Sequence, residues 1–399
     1  MDKAMSLELS SFPKELQVML ELIRADHGDP LDTLQNNNPM LADIDWNSFI
    51  QLVRHHRIGP YLYAAIKPIG EGIIPEEVRQ TLAMEAKMNM FQMLQLTGEV
   101  EKVTESFQAA GIRSLLLKGP ALAKALYGDI SLRISGDIDI LIPVEKIEEA
   151  HKVLTDLGYC FIQGSAPHIL EDWIRRDHHI CFYHPENRVQ IEVHWRLNPD
   201  MGKEPEFDVL WERRQRSNVS KSEIYYLGKN DLFLYLVSHG ARHGWFRLRW
   251  LLDIHRMALL EQDWPKIISL MQKYGFVKAG GQALLLAAAI FHTPVSSENK
   301  RLTKGKQPMK LAKLTLPFIR EMIEFYGEEP VGKEISRKFD RYMFSMKSMR
   351  QKWAYFTNRL YPSSYDAKLL PLPAVLHFLY FPLRPFLWFW RHYKQQASS

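Results

Sequence analysis

Apolar residues recur at helical spacing through residues 13–110. The runs PKELQVMLELIRAD, DWNSFIQLVRHHRIGPYLYAAI and PEEVRQTLAMEAKMNMFQMLQLTGEVEKVTESFQAAG each predict helix, the last ending at Gly111 as a C-cap. The methionines between Met84 and Met93 read as flexible core filler. The pattern changes at Ile112. RSLLLKG is a short apolar run bounded by glycine and predicts a buried strand. PALAKALYG follows as a helix with Pro120 in its first turn and Gly128 at its end. SGDIDILIP alternates with period two and predicts a strand stopped by Pro143. VEKIEEAHKVLTDLG is an amphipathic helix, and YCFIQ, HHICFYH and NRVQIEVHWRL predict three further strands. From residue 229 the helical period returns. KNDLFLYLVSHGARHGWFRLRWLLDIHRMALLEQ reads as helix, break, helix, and WPKIISLMQKYG and VKAGGQALLLAAAIFHT continue the bundle. VSSENKRLTKGKQPMK reads as a loop, and 311–360 as two more helices. The expected organisation is a helical region at 1–111, an α/β core at 112–200, a helical bundle at 201–310 and a basic, proline- and aromatic-rich region at 311–399. The fold class is α+β.

Composition narrows this picture. Of 399 residues, 46% are hydrophobic and 24% charged, which excludes a disordered, collagen-like or disulfide-stapled chain. Cys160 and Cys181 are too few for a disulfide framework or a cysteine-rich zinc site and suit a reducing compartment. The opening MDKAMSLELSSFPKEL has no basic segment followed by an apolar one, so a cytoplasmic location is expected. Charge is uneven: residues 301–399 hold 18 basic against 7 acidic side chains, whereas the first 300 hold 33 against 39. The basic end suits a solvated helical surface or an anionic partner such as a membrane. Residues 369–390 are apolar enough to raise a membrane span, but Pro371, Pro373, Pro382, Pro385 and Arg384 interrupt them. A buried C-terminal segment is expected there, with a peripheral membrane-surface anchor as the alternative.

The chemistry centres on Asp137-Ile138-Asp139. Residues two apart on a strand point the same way, so both carboxylates leave one face while Ile138 and Ile140 leave the other. Adjacent like charges need neutralising, and a divalent cation such as Mg²⁺ (or Mn²⁺) does this. Glu192 and His194 share one face of VQIEVHW, and a strand beside Asp137 would bring Glu192 to the same ion. Upstream, Lys118-Gly119-Pro120 joins strand to helix. Gly119 permits close backbone approach, the helix N-terminus offers N–H groups to phosphate, and Lys118 and Arg133 add cations. Ser135 and Gly136 lead into the carboxylate strand. Together these point to a metal-bound nucleoside triphosphate.

LLLKGPALAKALYGDISLRISGDIDILIP resembles the uncharacterised bacterial nucleotidyltransferase family of the DNA polymerase β superfamily. IDWNSFIQLVRHHRIGPYLY, IEVHWRL, HGARHGWFRLRWLLDI and LPLPAVLHFLYFPLRP extend the resemblance across most of the chain. It implies a minimal nucleotidyltransferase core, a mixed sheet with flanking helices, embedded between helical regions. It also implies Asp137, Asp139 and Glu192 as metal ligands and catalytic residues, with two ions roughly 3.5–4 Å apart. The superfamily's Gly-Ser or Gly-Gly turn is here Gly119-Pro120, which removes one N–H and leaves the triphosphate grip to Lys118 and Arg133.

His239 and His243 stand four apart on a helix, without the glutamate of a metalloprotease motif. With Asp253 and His194 they read as helix packing or an acceptor pocket. His178-His179 reads as a strand pair pointing opposite ways. The expected activity is transfer of a nucleoside monophosphate from an NTP to an unidentified acceptor. The alternatives are a non-catalytic nucleotide-binding or toxin–antitoxin-type interaction protein, and a glycosyltransferase using the same D-x-D. No specific nucleic-acid partner is expected.

Overall fold

The computed structural model describes residues 7–25, 41, 43–69, 73–162, 177–199, 202–325 and 331–347, together with 352, 370, 372–380, 382–384, 386–387 and 390. Four helices open the chain: α1 (Lys14–Ala25), α2 (Trp46–His56), α3 (Gly59–Ile66) and α4 (Glu76–Ala109). The α/β segment follows as β1 (Leu115–Leu116), α5 (Gly119–Tyr127), β2 (Asp137–Leu141), α6 (Ile147–Asp156), β3 (Cys160–Phe161), β4 (His179–His184) and β5 (Val189–His194). Then come α7 (Phe207–Glu212), β6 (Gln215–Arg216) and β7 (Tyr225–Tyr226). Helices α8 (Lys229–Arg242), α9 (Leu248–Leu259), α10 (Trp264–Tyr274), α11 (Val277–Phe291), α12 (Lys300–Thr303), α13 (Lys306–Arg320) and α14 (Lys333–Met346) complete the larger of two compact units. The fold is α+β with helical flanks. The polar stretch read as a loop over 295–310 contains α12 and the start of α13, because Gly305 and Pro308 tolerate a helix start.

The sheet has the order β3-β4-β5-β2-β1-β7-β6. β2 with β5 and β1 with β7 are parallel; the other neighbours are antiparallel. Its last two strands come from beyond residue 200, where the bundle begins. They are two residues each, too short to leave a period-two signature. One face of the sheet, with Leu116, Ile138, Ile140, Ile191 and Val193, packs on α6 and the second half of α4. Leu115, Leu117 and Leu141 belong to a second core shared with α1–α3 and α8–α14. The N-terminal helices and the later bundle are therefore joined. Arg24 of α1 donates to the carbonyls of Ile290 (2.9 Å) and Ala289 (3.1 Å), placing a cation at the negative end of α11.

Helix α4 spans both cores through Val78 and Leu82 at one end and Met93, Leu96, Val100, Val103 and Phe107 at the other. Met84, Met88 and Met90 are exposed with Phe91 and Leu94, so these three methionines are not the core filler their composition suggests; Met93 is. The middle of α4 is apolar on more than one face, and only packing decides which face turns inward.

The segment entering β2 is held at three points. Asn89 Nδ2 donates to Ser131 O (2.7 Å), Arg249 Nη1 donates to Ile134 O, and Arg133 reaches α9. Arg133 Nε and Nη2 each lie 2.9 Å from an oxygen of Asp253, and the Tyr127 hydroxyl donates to Asp253 at 2.8 Å. Arg133 and Asp253 are 2% and 0% exposed. The structure thus pairs Arg133 and Asp253 with each other inside the protein, where the sequence reading gave Arg133 to a phosphate and Asp253 to an acceptor pocket; Arg133 Nη1 is left buried without a hydrogen-bond partner.

The smaller unit, residues 200–202 and 347–399, is described in part. In it the Tyr380 hydroxyl donates to Leu370 O (2.6 Å) and accepts from Leu372 N (2.9 Å). Tyr380 and Leu387 are buried, but Phe378, Phe386 and Trp390 are exposed, so the buried segment expected at 369–390 is buried only in part. Among the described residues no helix is long and apolar enough to cross a membrane.

Breaking the Arg133–Asp253 pair from one side strands a buried charge. Asp253→Ala is expected to cost about 3–5 kcal/mol, read as a lowered urea midpoint at unchanged slope, and Arg133→Met/Asp253→Leu to recover much of it.

Candidate functional site

The site is built by strand register. β2 and β5 pair Asp137 with Gln190, Asp139 with Glu192 and Leu141 with His194. On the other side of β5, β4 pairs His179 with His194 and Cys181 with Glu192. Alternation therefore sets Asp137, Asp139, Glu192, His194, Cys181 and His179 on one sheet face. As expected from the sequence, Glu192 arrives beside the D-x-D on a neighbouring strand.

Asp139 lies at the centre and is 1% exposed. Its Oδ1 is 3.0 Å from Lys118 Nζ and 3.2 Å from His194 Nε2. Burial pushes its carboxyl up, but Lys118 and His194 outweigh burial and hold it well below the ordinary range. Burial likewise opposes the charge on Lys118, and Asp139 leads the groups that restore it. His194 Nε2 also lies 3.4 Å from Glu192 Oε2. Burial would raise Glu192 and lower His194; their mutual contact and that of His194 with Asp139 reverse both directions. Asp137 is raised, first by burial and then by Asp139 beside it. Two features ask for a further cation: Asp137 and Asp139 repel, and Asp139 Oδ2 is buried without a hydrogen-bond partner. Carboxylate oxygens of this kind suit Mg²⁺ or Mn²⁺.

Opposite the carboxylates stand cations. Lys118 occupies the N-cap position of α5, and Gly119 follows with φ +76°, a conformation that favours glycine. Pro120 lies in the first turn as expected. Ser135 is buried with its hydroxyl 3.3 Å from Asp137 O, and Gly136 is exposed beside it.

The α8–α9 corner adds cations that sequence reasoning passed over. Gly240 lets Trp245 lie against α8, since a Cβ there would be 2.1 Å from Trp245 Cζ3. The corner presents Arg242, Arg247 and Arg249. Burial, then Arg133 and Arg57, bring Arg249 down to about 9. Burial and Arg57 bring Arg247 down to about 10, and Asp137 is among the charges opposing both shifts. Arg249 Nε, Arg247 Nε and Arg242 Nη1 are buried without a hydrogen-bond partner. Arg247 Nη2 is paired with Glu324 and Arg249 Nη1 with Ile134 O, so what the corner leaves unpaired are these three guanidinium nitrogens, which could meet an anion. The sequence signal was there, three arginines within HGARHGWFRLRW, but nothing in it said that Arg247 and Arg249 fold within electrostatic reach of Asp137.

His239 and His243 lie in the same corner. Their rings are 4.5 Å apart, and His243 stacks on Trp250 at 4.8 Å. Arg242 Nη2 is 3.2 Å from His239 Nδ1. Burial, then the charges of Lys118 and Arg242, hold both histidines well below their ordinary value, so they are neutral. His178 and His179 do not point apart, contrary to the strand-pair reading. β4 begins only at His179, and the bend at His178 brings the two rings to 4.3 Å.

A model of the family described as uncharacterised nucleotidyltransferase matches residues 42–292. That span runs from before α2 to just past α11 and contains every site residue named above. Comparison with curated proteins and with solved structures finds no match. The chain belongs to this uncharacterised nucleotidyltransferase family, and is thereby an enzyme of the transferase class for which an NTP substrate is implied.

Proposed function

We propose that the enzyme transfers a nucleoside monophosphate from an NTP, bound with Mg²⁺ (or Mn²⁺), to an acceptor hydroxyl of a small molecule, sugar, lipid or protein, with release of pyrophosphate. One observation carries the reading: the β2–β5 register sets Asp139 against Glu192, with Asp137 on the same face and within electrostatic reach of undercompensated arginines. Asp137, Asp139 and Glu192 would hold the ion, and the partnerless Asp139 Oδ2 supports that assignment. Bound there, the ion supplies charge stabilisation at the phosphate and lowers the pKa of the acceptor hydroxyl. Arg242, Arg247 and Arg249, with Lys118 and the Gly119 turn, would grip the triphosphate; its charge relieves guanidiniums buried without enough acid. In the transfer, the acceptor oxygen forms its bond to the α-phosphorus as the bond to the leaving pyrophosphate oxygen breaks. Glu192, ionised at neutral pH, is placed to take the acceptor proton. His239 and His243, neutral and near Lys118, would line the acceptor side with His194.

The family assignment sets aside the non-catalytic alternative. Cytoplasmic residence and peripheral membrane contact belong to the same proposal, the second supported by exposed Phe378, Phe386 and Trp390.

Asp137→Asn removes a like-charge repulsion, so its melting temperature is expected to equal or exceed the parent's. Mg²⁺-dependent ATP, GTP, CTP and UTP binding, followed by calorimetry, is expected to vanish, and pyrophosphate release to fall at least 100-fold (about 2.7 kcal/mol). Undiminished turnover in this variant, or in Asp139→Asn, would sink the metal assignment. Arg249→Gln and Arg242→Gln are each expected to raise KM for the NTP about 10- to 100-fold, the range of a lost charge-assisted hydrogen bond. An unchanged KM in both would remove the arginine wall from the substrate site.

A further inference from the structure

Away from the carboxylate face, helices α12 and α13 carry charge of one sign. Between residues 292 and 320, seven Lys and Arg side chains stand against one acid, Glu298. Six of the seven, Lys300, Arg301, Lys304, Lys306, Lys310 and Lys313, are exposed, and among the described residues none of the six makes an ion pair. The seventh, Arg320, pairs with Glu321 (2.6 Å). A helix that merely faces water mixes its signs, as α14 does where Lys338 meets Glu334 one turn away (2.8 Å). The α12–α13 face has no such acids.

The helical period sets these cations on one side. Lys306, Lys310 and Lys313 follow i, i+4, i+7 spacing over about 10 Å of α13, while Pro308, Leu311, Ala312 and Thr315 are buried on the opposite side. In α12 and the turn after it, Leu302 and Thr303 are buried, and Lys300 and Lys304, four apart, are exposed. The stripe is held from beneath. Buried Gln282 of α11 donates to Leu311 O (3.1 Å) and accepts from the Tyr342 hydroxyl of α14 (3.0 Å). The lysines therefore repel one another from a fixed helix, where like charges four apart destabilise it unless an anionic partner relieves them.

We infer that the α12–α13 face is the surface by which the protein docks on an anionic phospholipid bilayer. Clusters of about four to eight Lys or Arg on a helix bind such a leaflet through the summed field of its headgroups. Five of the six cations are lysines, hydrated point charges that suit a plane of many phosphates, whereas the fork of arginine suits one phosphate or one base edge. Between residues 292 and 320 no Phe, Tyr or Trp is exposed, so the face lacks the rings on which nucleobases stack. This docking rests on the peripheral membrane contact proposed above and names the surface that would make it; neither depends on the transfer chemistry.

The test is cosedimentation of the full-length protein with phosphatidylcholine vesicles holding about 30% phosphatidylserine, at about 0.1 M salt. Binding is expected there, is expected to be absent with phosphatidylcholine alone, and to fall steeply at about 1 M salt, where the screening length shortens to about 3 Å. Each charge brought to such a surface is worth about fivefold in partitioning, so Lys306→Gln/Lys310→Gln/Lys313→Gln is expected to bind about 100-fold more weakly at an unchanged melting temperature. The same three lysines changed to Arg keep the charge and are expected to keep the binding. Lys87→Gln/Lys102→Gln/Lys152→Gln removes as much charge from exposed positions elsewhere and is expected to leave binding as it was. Vesicle binding that survives in the α13 variant, or that falls equally in the control variant, would overturn this surface while membrane contact itself stands. A parent protein that ignores the anionic vesicles would remove both. Retention of duplex DNA at a salt concentration that leaves the vesicles unbound would assign the face to nucleic acid and overturn the docking surface.

Discussion

Asp139 and Glu192 lie side by side because β2 and β5 run parallel and in register, with Asp137 two residues along the same face. Three carboxylates in a largely buried patch repel one another, and burial disfavours each negative charge further. The surrounding structure answers this charge. Lys118, set at the start of α5, and His194, one row along β5, both reach Asp139 Oδ1. They offset enough of the negative charge for the sheet to close, yet they leave Asp139 Oδ2 without a partner. That oxygen is the one the proposed cation would meet.

The two helical regions serve that arrangement. Helix α4 runs from one core into the other and pins the loop before β2 through Asn89. Helix α9 pins the same loop twice, through Asp253 on Arg133 and through Arg249 on Ile134 O. Arg133 and Asp253 are worth little as a pair compared with a well-packed apolar alternative. Their effect is positional: they fix where Asp137 enters the sheet and bring the α8–α9 corner against it.

That corner carries charge of the opposite sign, also incompletely balanced. Arg249 and Arg247 titrate lower than free guanidiniums because burial and one another's neighbours disfavour the cation. The carboxylate face and the guanidinium corner are the two halves on which the proposed metal-bound triphosphate site rests. Neither half can relax by itself, since the sheet register fixes one and the Gly240–Trp245 contact fixes the other.

The sequence by itself determined the local elements and the chemistry of each strand. The period-two runs around Asp137 and Glu192 fixed which residues share a face, since alternation is a property of the strand alone. The helical periods likewise marked α4, α8 and α9, and Gly111 marked the end of α4. Partnership was beyond its reach. Arg133 looked free for phosphate until Asp253, 120 residues later, was folded onto it. His178 and His179 looked opposed until the strand was seen to begin one residue late. Met84 and Met88 looked internal until packing turned the other side of α4 inward. Arg247 and Arg249 were two arginines in a helical corner until the fold brought Asp137 within electrostatic reach of them. In each case the deciding quantity is a balance of charge or a choice of face between segments distant in the chain. A local pattern states what each side chain can do, and only the tertiary structure decides what it meets.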